Sequence, residues 1–220
     1  MARHMSAAQR KLHDQAITAN ARLQTQLGVL ADGYWGDASQ TALVASGMTI
    51  GYDWDKLRLH FGSLRQSQVD GFLTILDAVN DYDSDEISPS YFAYMLATTW
   101  HETGIFKRIG TKKIFINSMQ PVEEMGKGAG RKYGRRVDID GSAYSASLPI
   151  YYGRGYVQLT SLINYLRMKL KLKIDFINHP ELALVPKNAA DIMITGMLEG
   201  IFTTKSLSSF IHYGLYFEYI

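Results

Sequence analysis

The chain has 220 residues, of which 46% are hydrophobic and 20% charged, and this composition is typical of a folded globular protein and excludes a disordered one. The formal net charge of +2 argues against a dedicated nucleic-acid-binding protein. The absence of cysteine excludes a disulfide framework and a cysteine zinc site. No apolar run approaches the length of about 18 residues that a membrane-spanning helix needs, so we expect no membrane insertion.

Residues 1–50 are predicted to form a separate N-terminal module of short helices, and residues 1–5 resemble a vector-derived leader. Apolar residues at helical spacing lead to Gly28, which can close a first helix. Asp37 and Gln40 have the spacing of a capping box, so we expect a second helix to begin there.

The loop between these two helices, ADGYWG, carries two adjacent aromatic residues, Tyr34 and Trp35. The surrounding pattern, LQTQLGVLADGYWGDASQTAL, resembles the small three-helix peptidoglycan-binding module, and this resemblance makes both residues candidates for cell-wall binding. The alternative is that each ring only fills the small core of the module.

Residues 51–220 are predicted to form a second, mainly α-helical domain. Its most informative stretch reads SPSYFAYMLATTWHETG and ends at Gly104. Ser88 followed by Pro89 is a strong helix start, and Gly104 is placed to end the helix. The apolar residues leave little polar face, so we expect this helix to be buried nearly all round.

His101 and Glu102 lie in the last turn of this predicted helix. A carboxylate there meets the negative end of the helix dipole, and burial also disfavours its charged form. Both effects suit a general acid that works near neutral pH. The alternative is that Glu102 is an ordinary residue of the last turn.

The segment after Gly104 alternates basic and apolar residues and predicts a β-hairpin with its turn near Gly110. A glycine- and arginine-rich run follows, which we interpret as a loop lining a cleft. Glu123 and Glu124 stand at its start. The acidic run 81–86 does not have the spacing of a calcium loop, so we expect no metal site there.

The stretch YYGRGYVQLTSLINY combines two glycines around Arg154 with a polar cluster among tyrosines. We expect the glycines to let the backbone approach another surface closely. A helix is predicted from Thr160, and its N-terminal end would carry polar side chains beside aromatic rings. That combination suits a sugar, although a capping Thr and a structural Gln would look the same. The candidate residues are Tyr151, Arg154, Gln158, Thr160 and Asn164.

Three motifs, AYMLATTWHETG, MQPVEEMGKGAGRKYG and YYGRGYVQLTSLINY, resemble glycoside hydrolase family 19, closest to its phage endolysin branch, from about Phe61 to Ser209. The N-terminal pattern resembles the small three-helix peptidoglycan-binding module. The resemblance implies a modular phage endolysin with a lysozyme-like helical catalytic domain that cuts β-1,4 bonds between amino sugars with inversion. It also implies that the C-terminus is short, because related chains continue with further helices.

By motif position, the resemblance makes Glu102 the general acid, Glu124 the general base and Thr160 a holder of the attacking water. The remaining candidates would contact substrate. These substrate-binding candidates are His101, Tyr151, Arg154, Gln158 and Asn164.

The chain departs from the family pattern in three places: the length of the segment after Glu102, Lys173, and the short C-terminus. Glu123 is an obvious rival for the base, because the segment after Glu102 is longer than in the endolysins it resembles. Lys173 stands where a helix-ending Gly is usual, at a cost of roughly 1 kcal/mol if its φ is positive.

The leading interpretation is therefore a muramidase-like endolysin, without cofactor or metal, acting as a monomer on bacterial peptidoglycan. No signal peptide is visible, so the resemblance implies synthesis in the host cytoplasm and holin-dependent release. Three alternatives stay open: a chitinase, a lytic transglycosylase, and a non-catalytic wall-binding protein.

Overall fold

The protein is described by a computed structural model that covers residues 7–82, 86–129, 131, 133 and 150–211. The described part is mainly helical and has two small two-stranded antiparallel sheets, which confirms the predicted mainly-α class with a short hairpin. The α-helices are α1 (Ala7–Gln26), α2 (Asp37–Ser46), α3 (Trp54–Phe61), α4 (Gln66–Asp81), α5 (Pro89–Glu102), α6 (Leu162–Leu172) and α7 (Pro186–Leu198); the strands are β1 (Gly104–Ile109), β2 (Lys112–Asn117), β3 (Val122–Glu123) and β4 (Arg154–Gly155). Two 3₁₀ helices, Pro180–Leu184 and Leu207–Ser209, complete the set.

The described residues divide into two compact units. The first contains the chain up to Thr49 together with the short segments 86–88 and 209–211, and the second contains 50–82 and the described residues between 89 and 208. The change between units after Thr49 lies next to the predicted boundary at residue 50. The predicted leader 1–5 and most of the aromatic C-terminal run lie outside the described residues.

In the first unit, α1 is followed by Gly28 with a φ of 70°, as the sequence predicts, and α2 ends at Gly47 with a φ of 64°. The predicted capping box is wrong. Gly36 is the N-cap residue of α2, and the side chain of Gln40 accepts a hydrogen bond of 2.9 Å from the indole N–H of Trp35. The local pattern predicted that Gln40 would cap the helix N-terminus. The Gln40 side chain instead forms a tertiary hydrogen bond with the indole.

In the second unit, α7 is the central helix. It contacts α4, α5, α6 and β4, and the residues predicted to face inward are all buried. Thr99 of α5 donates a hydrogen bond of 3.1 Å to the sulfur of Met193 on α7. Helix α5 ends at Glu102, and strand β4 pairs with the strand that contains Glu123. Both elements therefore pack on α7. The buried inward-facing residues of α7 are Ala189, Ile192, Met193, Gly196 and Met197.

Helix α5 begins at Pro89 and ends at Glu102, but the expectation of nearly complete burial is wrong. One face, which includes Phe92, Met95 and Thr99, is buried, whereas Ala93 and Ala97 on the opposite face are exposed. The hydrophobicity of the sequence alone predicted burial on all sides. Because alanine side chains are small, one face of α5 is exposed with little apolar surface on it.

Strands β1 and β2 form the predicted hairpin, with Gly104 paired to Asn117 at its base and Ile109 to Lys112 beside the turn. Gly110 in the turn has a φ of 61°, a conformation that favours glycine. The alternating pattern and the position of its glycine were sufficient to predict this element.

Helix α6 begins at Leu162, two residues later than the sequence suggests, because Ser161 has a φ of 68° and is the N-cap residue. The helix ends at Leu172, and its C-cap residue, Lys173, has a φ of 60° and donates its backbone N–H to the Lys169 carbonyl oxygen. Lys173 therefore occupies the left-handed position that glycine usually fills.

We expect Lys173→Gly to raise the free energy of unfolding by about 1 kcal/mol, because the Cβ of Lys173 is strained at this φ. The melting temperature would rise by about 2–4 °C. Lys173→Ala is the matched control, since it removes the same charge and keeps the Cβ. Equal melting temperatures for the Gly and Ala variants would show that this helix end carries no backbone strain.

Candidate active site

Glu102 and His101 lie in the last turn of α5, where the sequence places them. His101 is exposed and Glu102 is half-buried. Among the described residues, the Glu102 carboxylate has no hydrogen-bond or ion-pair partner. A half-buried carboxyl group that no described residue binds is able to act on a ligand.

The end of α5 is held against the base of the hairpin by a buried side chain, Asn117. Its amide donates hydrogen bonds to the Trp100 carbonyl oxygen and to the Thr103 hydroxyl, the latter at 3.1 Å. Its carbonyl oxygen accepts the backbone N–H of Met119 at 2.8 Å. This one side chain therefore ties the turn that carries Glu102 to the segment that leads to Glu123 and Glu124.

The segment after Asn117 also packs tightly on α4. A Cβ added at Gly71 would lie 1.8 Å from the Met119 carbonyl oxygen, so only glycine fits at this position. Met119 is fully buried and has a φ of 51°. The Gln120 side chain adds a hydrogen bond of 2.7 Å to the Ser67 carbonyl oxygen. The backbone that approaches the two glutamates is therefore rigidly placed.

Glu124 is half-buried and is held by two uncharged donors. The Gly153 backbone N–H donates to its Oε2 at 2.9 Å, and the Tyr133 hydroxyl donates to its Oε1 at 3.2 Å. The Glu124 backbone N–H in turn donates to the Gly153 carbonyl oxygen at 2.8 Å. Both oxygens of the carboxylate are oriented, and no cation lies in ion-pair contact with it among the described residues.

Glu123, the rival candidate, has a different environment. The Tyr152 hydroxyl donates to its Oε1 at 2.6 Å, and the Lys127 ammonium lies 3.3 Å from its Oε2. The Arg154 Nε is 3.9 Å from Oε1. The Tyr152 hydrogen bond, followed by the Lys127 and Arg154 charges, lowers the pKa of Glu123 below its usual value. The Glu123 carboxylate therefore has two cationic neighbours, whereas the donors to Glu124 are uncharged.

Arg154 is only 5% exposed, so the structure gives it a positioning role in place of the direct substrate contact that the sequence suggested. Its Nη1 donates to the Ile150 carbonyl oxygen at 2.8 Å and to the Tyr165 hydroxyl at 3.0 Å. Its guanidinium carbon lies 3.6 Å above the centre of the Tyr152 ring. A side chain so enclosed can orient its neighbours but does not reach a sugar.

Tyr151 requires the same correction. It is fully buried in the hydrophobic core beside α6, and its hydroxyl donates a hydrogen bond of 3.0 Å to the Ile177 carbonyl oxygen. The two glycines around Arg154 allow the close backbone approach that the sequence predicts. A Cβ at Gly153 would lie 2.7 Å from the Gln158 Oε1, and one at Gly155 would lie 2.9 Å from the Ala183 carbonyl oxygen.

The turn from Gln158 to Ser161 has an unusual backbone. Gln158 and Ser161 have positive φ values of 51° and 68°, and they flank Thr160. Strained residues of this kind cluster at functional sites when the surrounding structure holds them. The Gln158 side chain donates to the Val122 carbonyl oxygen at 3.1 Å, which joins this turn to β3.

Thr160 and Asn164 are half-buried. In the described part of the chain, Thr160 has no side-chain hydrogen bond, and Asn164 accepts only a long one of 3.5 Å from Arg167. Both therefore have polar groups to offer to a ligand. No hydrogen bond or ion pair among the described residues links Glu102 or Thr160 directly to Glu124.

In the first unit, the two aromatic candidates of the loop, Tyr34 and Trp35, differ in exposure. Trp35 is 5% exposed and packs inside, so its predicted wall-binding role is replaced by a role in the small core, whereas the Tyr34 ring is 40% exposed. The buried Gln24 side chain organises the loop, because it donates to the Tyr34 carbonyl oxygen at 2.8 Å and accepts the Gly33 N–H at 2.8 Å. Tyr34 is the candidate that remains on the surface.

The sequence did not identify several residues that orient the two glutamates. The only signal for the aromatic members was the high density of tyrosines near the glycine-arginine-glycine motif, Gly153 was marked only for close backbone approach, and nothing marked Asn117. The partners found only in the structure are Asn117, Tyr133, Tyr152, Gly153 and Tyr165.

Within the described ranges, no group of three or more His, Asp or Glu side chains is placed to hold a metal ion. None of the described helices is long and apolar enough to cross a membrane. Comparisons of the chain with protein-family models, curated proteins and solved structures give no match.

Proposed function

We propose that the protein is a glycosidase that hydrolyses β-1,4 bonds of bacterial peptidoglycan, with Glu102 as general acid and Glu124 as general base. One structural observation supports the roles that the motif resemblance implies: the two carboxyl groups have unlike environments. Glu124 has both oxygens oriented by the Gly153 N–H and the Tyr133 hydroxyl, whereas Glu102 has no protein partner among the described residues. A pair of carboxyls in different surroundings is the pattern of acid and base in glycoside hydrolysis.

The reaction follows from these two roles. Glu102 gives its proton to the bridging oxygen as the bond from that oxygen to the anomeric carbon breaks. Glu124 takes a proton from water as the water oxygen bonds to the anomeric carbon from the opposite face. The Thr160 hydroxyl would orient that water. The product therefore has the inverted anomeric configuration.

Substrate contacts are assigned to candidates whose polar groups are accessible. His101 is exposed beside Glu102, and Asn164 is half-buried with only one long hydrogen bond. Gln158 acts through the position of its turn, because its amide already donates to the Val122 carbonyl oxygen.

The products released from purified peptidoglycan test this proposal. We expect mass spectrometry to find fragments with new reducing ends, and proton NMR before mutarotation to find them inverted. Anhydro-sugar ends would instead identify a lytic transglycosylase. Cleavage of chitin with peptidoglycan left intact would identify a chitinase. Binding without any product would leave only a wall-binding protein.

We also propose that the first unit binds the cell wall through Tyr34. Tyr34→Ala is expected to weaken binding to insoluble peptidoglycan about fivefold or more, since an exposed aromatic anchor of this kind is worth more than about 1 kcal/mol. Turnover of soluble fragments should not change, because a tethered binding unit raises local concentration without taking part in the chemistry.

Val44→Ala is the matched control for Tyr34→Ala. Val44 is also an exposed apolar residue of the first unit, 42% exposed, but it lies on α2 outside the aromatic loop. Equal pull-down of the Tyr34 variant, the control and the unmodified protein on peptidoglycan sacculi would exclude Tyr34 from wall binding.

A further inference from the structure

A continuous chain of hydrogen bonds joins a buried cation to Glu124. Arg154 Nη1 donates to the Tyr165 hydroxyl at 3.0 Å, and that hydroxyl donates to the Tyr152 carbonyl oxygen at 2.9 Å. The Tyr152 carbonyl belongs to the same peptide group as the Gly153 N–H, which donates to Glu124 Oε2 at 2.9 Å. Four groups in sequence thus run from a guanidinium to a carboxylate.

We propose that Tyr165 and Arg154 are positioning residues for Glu124 and act on it through the Tyr152–Gly153 peptide group. The role in catalysis rests on the proposed function, which makes Glu124 the general base. The hydrogen-bond chain itself concerns only residues of this protein and can be measured without substrate.

Each hydrogen bond in the chain is donated in the direction of Glu124. Together they polarise the Tyr152–Gly153 peptide group so that its N–H points a stronger dipole at Glu124. A carbonyl oxygen that accepts a hydrogen bond makes the N–H of the same peptide a stronger donor, and successive hydrogen bonds reinforce one another in a low-dielectric interior. A cation at the far end strengthens the first bond, because hydrogen bonds from charged donors are the stronger ones. Glu124 thereby receives part of the influence of Arg154 without forming an ion pair with it.

Tyr165 is suited to the middle of the chain because it stays protonated. It is fully buried, and burial raises its pKa to about 12. Its hydroxyl therefore keeps the proton that it donates to the Tyr152 carbonyl oxygen, while its lone pairs accept from Arg154. The long direct contact of 3.4 Å from Arg154 Nη1 to the same carbonyl is a weaker route.

Arg154 is also fixed from other directions, which keeps its charge at one end of the chain. Strand pairing places Arg154 opposite Glu123, and the guanidinium stacks on the Tyr152 ring. The cost of burying this cation is offset by the Glu123 carboxylate and by the carbonyl and hydroxyl oxygens around it. Its position is thus set independently of Glu124.

Tyr165→Phe in the full chain tests the proposal, because it removes one hydroxyl and keeps the ring in the core. We expect the amide proton signal of Gly153 to move upfield and its exchange with solvent to become faster. With soluble peptidoglycan fragments, kcat should fall about threefold to tenfold with KM unchanged, as for the loss of one hydrogen bond in the transition state.

Tyr156→Phe is the matched control. Tyr156 is another fully buried tyrosine near β4, but its hydroxyl has no hydrogen-bond partner in the described structure. We expect this variant to leave the Gly153 signal, kcat and KM unchanged. Circular dichroism of both variants checks that the fold is retained.

The outcomes separate this inference from the proposed function. A Gly153 signal that stays unchanged in Tyr165→Phe overturns the hydrogen-bond chain, whatever the activity. A shifted signal with unchanged kcat overturns the positioning role. If the unmodified protein does not cleave peptidoglycan, the proposed function fails, and the Gly153 signal alone then decides whether Tyr165 acts on Glu124.

Discussion

Glu102→Gln is expected to lower turnover of peptidoglycan by about 10²–10⁴-fold or more while the fold is kept. Gln has nearly the same shape as Glu but has no acidic proton to give to the leaving oxygen. Because Glu102 has no hydrogen-bond or ion-pair partner among the described residues, the substitution should cost little stability. Turnover of soluble fragments and circular dichroism together measure the two effects.

Glu181→Gln provides a matched control for this substitution. Glu181 is exposed in the 3₁₀ helix Pro180–Leu184 and pairs only with His179 among the described residues. We expect it to retain full turnover. Near-normal lysis by Glu102→Gln, with an unchanged fold, would remove Glu102 from the mechanism.

Glu124→Gln is expected to lose most activity, about 10²–10⁴-fold, whereas Glu123→Gln should lose little. The reason is the difference in partners. Glu123 is committed to Tyr152, Lys127 and Arg154, while Glu124 is oriented by uncharged donors only. A neutral Gln at 124 has no basic oxygen to take a proton from water.

Glu123→Gln should instead change how stability depends on pH. The pKa of Glu123 is lowered, first by the Tyr152 hydrogen bond and then by Lys127. A group with a lowered folded-state pKa stabilises the protein above its unfolded value of about 4.3, and this contribution disappears as pH falls through the folded value. We therefore expect the acid side of the melting-temperature profile to be flatter in Glu123→Gln.

Two results would contradict this assignment of the glutamates. Loss of turnover in Glu123→Gln with normal turnover in Glu124→Gln would make Glu123 the base. Products that retain the anomeric configuration would exclude a water-activating base of the inverting kind for either residue.

The sequence was sufficient where a structural feature depends on local backbone chemistry. The hairpin with Gly110 in its turn and the start of α5 at Pro89 follow from residue type at single positions. The five residues of α7 that helical spacing predicts to face inward are buried. In these cases neighbouring residues in the chain supply the physical cause.

Tertiary structure decided which candidate side chains are buried and what they contact. Trp35, Tyr151 and Arg154 carry the chemistry of a sugar site in the sequence, yet all three are buried. The same aromatic ring or guanidinium can lie on a surface or in a core. Residue type alone therefore does not distinguish a ligand-binding role from a structural one.

By itself, the sequence determined the mainly-α class and the hairpin, because these depend on periodicity and turn residues, and the resemblance of its motifs selected the glutamates as candidates. Only the tertiary structure showed that Glu123 and Glu124 have different partners. The partners of these adjacent residues come from Tyr133 and from 152–154, which are distant in the chain and are joined to them by strand pairing and side-chain hydrogen bonds. The environment of a carboxylate is set by such long-range contacts.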